Sequence, residues 1–122
     1  MIKKLLWIAG LLSALCTVAQ ECPEPVYPLD GASDIPVDAT IRWTPVLGVT
    51  AYQITLGTTP GGSDIANLTS TGPNPFYAPP RGLPENSTIH VTLYLFNISQ
   101  GNILCTTFSF ETEDVKRVWF EI

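Results

Sequence analysis

The chain has 122 residues, 45% of them apolar, with six basic and eleven acidic side chains and a formal net charge of −5. That length bounds the folded part to one domain, and the acidic balance argues against nucleic acid and anionic membranes as partners, since both repel a negative surface. The acidic residues are scattered and form no run, so they describe a solubilising surface and carry no information about a partner.

At the N-terminus Lys3 and Lys4 precede an apolar stretch over residues 5–15, followed by the small-residue site Thr17-Val18-Ala19. This order reads as a cleaved secretory signal over residues 1–19. The apolar stretch is too short for a membrane anchor, which needs about 20 residues. A lipid-anchor box at Cys16 would want a small residue where Leu15 stands. Cleavage before Gln20 would leave four basic residues against eleven acidic ones, a net charge of −7, and a secreted or cell-surface location.

Loss of Cys16 with the signal leaves Cys22 and Cys105 in an oxidising compartment, where a disulfide is the expectation. In the chain-entropy model, closing so long a loop stabilises a domain by about 4.5 kcal/mol. Two free thiols or a metal pair are the rival readings. The other soft ligand is His90, whereas a closed zinc site needs four ligands.

From there proline and glycine punctuate short alternating stretches with no long 3.6-residue apolar period, the pattern of an all-β domain of about seven strands. A first strand is expected over residues 26–29, before the turn-rich loop at 30–34. A second over 40–44 turns Ile41 and Trp43 inward and Thr40, Arg42 and Thr44 outward, and Pro45 ends it. A third over 51–58 places Tyr52, Ile54 and Leu56 on one face, Gln53 and Thr55 on the other. The turn Thr59-Pro60-Gly61-Gly62 follows. Weaker signals mark strands over 64–69 and 76–78. Over 88–97, Ile89, Val91, Leu93 and Leu95 alternate with His90, Thr92, Tyr94 and Phe96, which predicts a central strand. Residues 97–102 then supply a hairpin turn, and 103–112 return with Phe108 and Phe110 on one face.

Trp43 and Pro45 at the end of the second strand, with Tyr52 leading the inward face of the third, resemble the fibronectin type III family. So do Leu83-Pro84-Glu85-Asn86, the strand Val91-Thr92-Leu93-Tyr94-Leu95-Phe96-Asn97 with Gly101 beyond it, and the closing Phe110-Glu111-Thr112. Asn97 matches the family's structural asparagine. The resemblance covers residues 23–112 and implies an immunoglobulin-like β-sandwich over 20–112, with 113–122 as a tail or linker. One departure is Ile89, which stands where the family usually places a tyrosine that bonds back to the preceding loop. The stretch over residues 28–38 is similar to the opening of bacterial immunoglobulin-like surface domains. The family topology also puts the N-terminus and the last hairpin turn at one end, which would make Cys22 and Cys105 neighbours.

Catalytic signals are sparse. His90 lies in an alternating strand facing solvent, and acid-base work needs paired groups in a pocket. Asp30, Asp34 and Asp38 lack the every-second-residue spacing of a calcium loop. Asn67, Asn86 and Asn97 head N-x-S/T triplets, with the structural role of Asn97 favoured. Tyr94 and Phe96 are the best candidates for a binding surface, because the alternation that buries Leu93 and Leu95 turns both rings outward. The tail carries Val118, Trp119, Phe120 and Ile122 beyond the last expected strand, as a linker, an added strand or a docking segment. The resulting expectation is a non-catalytic module without cofactor or metal, serving adhesion, domain spacing or contact with an extracellular protein or polysaccharide. The alternative is a carbohydrate-binding sandwich with Tyr94, Phe96 or Tyr77 as stacking platforms.

Overall fold

The computed structural model describes residues 21–97 and 101–115; the expected signal, the tip of the last hairpin and most of the expected tail lie outside them. In chain order the strands are β1 (Pro25–Tyr27), β2 (Ile41–Trp43), β3 (Ala51–Gly57), β4 (Ala66–Gly72), β5 (Phe76–Tyr77), β6 (Thr88–Asn97) and β7 (Gly101–Glu111). No helix occurs among the described residues. The strands form a three-stranded sheet, β1-β2-β5, and a four-stranded sheet, β4-β3-β6-β7, with every ladder antiparallel. Side chains from both sheets join one buried apolar cluster, the arrangement of a β-sandwich.

Period-two alternation explains the centre of the larger sheet. In β6, Ile89, Val91, Leu93 and Leu95 are all buried, and β3 answers them with Tyr52, Ile54 and Leu56. The β3–β6 register runs unbroken from Ala51 opposite Phe96 to Gly57 opposite His90, so Tyr52 meets Leu95, Ile54 meets Leu93 and Leu56 meets Val91 on the inner face. A one-residue slip would expose this whole set, which is why the register is strongly specified. On the smaller sheet Ile41 and Trp43 are buried and Arg42 between them is exposed.

Trp43 and Tyr52 tie the two sheets together. Their rings meet edge to face, with centroids 5.6 Å apart and planes at 72°. The Tyr52 hydroxyl accepts a buried hydrogen bond from the Val46 N–H at 2.8 Å, which pins the loop joining β2 to β3. The indole Nε1 of Trp43 is buried and has no hydrogen-bond partner among the described residues.

β3 and β5 are shorter than expected by one residue at one end and β2 by one residue at each end, and three elements differ more, each for a local reason. β1 occupies Pro25–Tyr27 and not 26–29, because Pro28 has no N–H to continue a ladder. β4 starts at Ala66, not 64, because Asp64 is engaged in the preceding turn, where its carboxylate accepts bonds from the Thr58 N–H and hydroxyl. β7 starts at Gly101 and carries a bulge: Leu93 faces Thr106 and Tyr94 faces Leu104, leaving Cys105 as the extra residue.

Cys22 and Cys105 form a disulfide across 83 residues of sequence, with Cα atoms 5.4 Å apart. The Thr106 hydroxyl donates to the Pro23 carbonyl at 2.6 Å, while Thr44 N–H bonds the Glu24 carbonyl at 2.9 Å. The segment leading into β1 is thus fixed to β7 on one side and to the end of β2 on the other. Further along, Gly31 N–H donates to Ser109 and Glu111 N–H to Ala32, both at 2.8 Å, so the β1–β2 connection covers part of the β7 edge. Glu113 continues this seam, donating its N–H to Ile35 and accepting the Val37 N–H on Oε2.

Replacing Trp43 by Ala should lower the unfolding free energy by about 3 to 5 kcal/mol in urea titrations. Trp43→Phe should be milder, since it keeps a ring and removes a buried donor without a partner; equal losses in the two variants would show that the ring contact is not what matters. Reducing the disulfide should lower stability by about 4.5 kcal/mol, and two reactive thiols in the oxidised protein would contradict the bond.

Candidate functional site

The outer face of the four-stranded sheet is built in rows set by the ladders. One row brings together Gly57, His90 and Ser109, the next Thr55, Thr92 and Thr107, and the third Gln53, Tyr94 and Leu104. The bulge at Cys105 creates the third row as it stands. Strict alternation back from Phe110 and Phe108 would have turned Leu104 into the core, but the extra residue flips it outward, where it is 58% exposed.

A trough of about 320 Å³ lies over these rows, bordered by His90, Thr92, Tyr94, Leu104, Pro60 and Gly61. Its far rim is the β3–β4 turn. The backbone of Gly62 packs where a Cβ on Gly57 would sit, so a side chain at position 57 would push the turn off the sheet. Gly61 has a φ of +72°, the left-handed region that favours glycine. The Asp64 carboxylate clips the turn shut, accepting the Thr58 N–H at 2.9 Å and the Thr58 hydroxyl at 2.8 Å. These bonds, the backbone one first and then the hydroxyl, hold the Asp64 carboxyl below its ordinary value.

Chemically the trough offers one imidazole, one phenol and the hydroxyls of Thr92, Thr107 and Ser109 beside the apolar flanks of Leu104 and Pro60. No lysine, arginine or carboxylate lines it. His90 therefore has no acidic partner within the trough, and hydroxyls alternate there with apolar flanks. No group of three or more His, Cys, Asp or Glu side chains that could hold a metal ion occurs among the described residues.

The residues singled out from the sequence scatter over several places. Tyr94 borders the trough and is half-buried; Phe96 lies one row further along β6 and does not line it. His90, expected at the surface, is half-buried against the trough. Tyr77, offered as a stacking platform, pairs with Ile41 and packs partly against the core, so it is turned inward. Trp43, Tyr52 and Leu83 are core residues. Pro45 is exposed just beyond β2, and Asn97 ends β6 opposite Gly101. Leu104, Pro60, Thr107 and Ser109 escaped the sequence reading. The consecutive apolar pair Ile103-Leu104 was the available signal, since an uninterrupted alternation cannot bury both on one face.

The fold thus defines an all-β chain of two antiparallel sheets stapled by one disulfide, with an open trough on its larger sheet. No protein-family model, curated protein or solved structure matches it.

Because the folded-state pKa of Asp64 is lowered, its contribution is present above the unfolded value and is lost as pH falls through the folded one. Acid titration followed by NMR should move the Thr58 amide signal and speed its exchange, and Asp64→Asn should abolish the pH dependence. A Thr58 amide insensitive to acid would show that the carboxylate does not close the turn.

Proposed function

We propose that the chain is a non-catalytic, exported module of fibronectin type III-like kind that contacts an extracellular protein through the outer face of its larger sheet. The observation that carries this reading is the trough itself: an exposed leucine, a half-buried tyrosine and the single histidine grouped on a sheet face that the described part of the domain leaves uncovered. An exposed leucine beside a half-buried aromatic ring is an apolar spot that a partner can cover. Export is supported by the cysteines, since a bond between Cys22 and Cys105 persists in oxidising compartments and is rare in the cytosol. The family reading is supported by strand order. The fourth strand pairs with the third here, whereas the immunoglobulin constant-type sandwich sends it to the sheet of the first, second and fifth.

Carbohydrate binding is the second reading, and the specific observation in its favour is the run of hydroxyls beside the Tyr94 ring in a trough that no lysine, arginine or carboxylate lines. One experiment separates the two. Mature protein and the double variant Tyr94→Ala, Leu104→Ala, matched for melting temperature, are compared for retention on cells of the source and on a glycan array. Retention lost in the variant, with no glycan bound by either form, is the expected result. Neutral glycan binding that the variant loses would favour the second reading, and retention unchanged by the double substitution would remove this face from consideration.

A further inference from the structure

The outer face of the smaller sheet carries a second feature, independent of the trough. Arg42 is directly opposite Tyr27 on one side and Phe76 on the other, so three side chains form a line across β1, β2 and β5. Tyr27 is 40% exposed and Phe76 42%, and Val26, displaced by the irregular β1 register, is 50% exposed beside them. The Arg42 guanidinium lies over the Phe76 ring at 5.6 Å from its centroid. Arg42 makes no ion pair among the described residues, where the other cationic side chain is Arg81.

A guanidinium lying over an aromatic ring engages one of its faces and leaves the N–H donors at its edge free to bond. It can therefore accept a carboxylate in two parallel hydrogen bonds with little further loss of side-chain freedom. Tyrosine, arginine and phenylalanine together are also the composition enriched at the centres of protein interfaces. Size decides the kind of partner. Three strands about 4.8 Å apart, two or three residues long, present a face roughly 10 Å on a side, far below the roughly 800 Å² per partner of a stable globular interface. A second copy of the mature chain would in addition bring its own net negative charge, −7 after loss of the expected signal.

We infer that the Tyr27–Arg42–Phe76 row is a docking site for a short linear peptide segment that places one carboxylate on Arg42 and apolar side chains against the two rings. This deepens the reading of the chain as a protein-contact module and uses the opposite face from the trough. Dense polyanions are disfavoured, because the net negative charge of the chain repels every charge beyond the one that Arg42 receives.

The test is an NMR titration of the mature, disulfide-bonded protein with an N-acetylated, C-amidated Leu-Leu-Glu-Leu-Leu peptide, whose one carboxylate is the Glu side chain, its Gln counterpart and sodium glucuronate. The expected result is saturable shifts at the Tyr27, Arg42 and Phe76 amides. The Glu peptide should bind roughly tenfold or more tightly than the Gln peptide, as a charge-assisted pair implies. Arg42→Gln should remove that preference without changing the melting temperature, and Arg42→Lys should weaken it. Equal binding of Glu and Gln peptides, or Arg42→Gln without effect, would overturn the inference. Glucuronate binding as tightly as the peptide would assign the row to acidic sugars, and concentration-dependent shifts in the protein alone would assign it to a second copy; both would overturn it too. Shifts confined to Tyr94 and Leu104 would refute this face while leaving the proposed function in place.

Discussion

The edge-to-face contact between Trp43 and Tyr52 is the constraint from which the rest of the domain can be read. Trp43 belongs to the three-stranded sheet and Tyr52 to the four-stranded one, so their contact fixes the spacing of the two layers at one point. The Tyr52 hydroxyl also satisfies a buried backbone donor at Val46, so a single side chain supplies the ring contact and organises the loop connecting the sheets. Aromatic pairs contribute beyond their buried area, and here the pair sits between residues close in sequence. The contact can form early and locally, before the disulfide joins segments 83 residues apart.

Much of this architecture is legible in the residues themselves. The bounds of β6 coincide with the expected ones because ten residues of strict alternation leave one face apolar and allow one register. β3 differs by a single residue at its end for the same reason. β4 was harder to read, since Asp64 is chemically a turn residue and the ladder then spends Asn67 and Leu68 opposite Thr55 alone. Ile54 pairs with Thr69 while Leu56 pairs with Ala66, and Leu68 takes a φ of +43°. Irregularities of this kind depend on cross-strand partners that no short window of sequence contains.

The trough is legible only in part. Alternation correctly separates Tyr94 from the buried Leu93 and Leu95, but it gives no account of what Tyr94 stands beside. Pro60 and Gly61 reach the trough because the turn after β3 folds back over Gly57, a tertiary consequence of a position without a side chain. The Tyr27–Arg42–Phe76 row is likewise invisible in sequence, because its members lie on three strands and become neighbours through register alone. Phe76 sits in a proline-rich stretch where the expected strand signal is weakest, and a two-residue strand suffices to bring it against Arg42.

Cys105 gives the fold an all-or-none character at the level of insertions and deletions. It is the single residue in β7 without a place in the ladder; that displacement accompanies its bond to Cys22 and reverses the facing of Leu104. Deleting one codon at this position would restore plain alternation, return Leu104 to the core side and leave Cys22 without its partner. The covalent staple and the outward leucine are therefore a linked pair, gained or lost in one genetic step. A lineage that kept the trough while dispensing with the disulfide would have to substitute Cys105 rather than remove it.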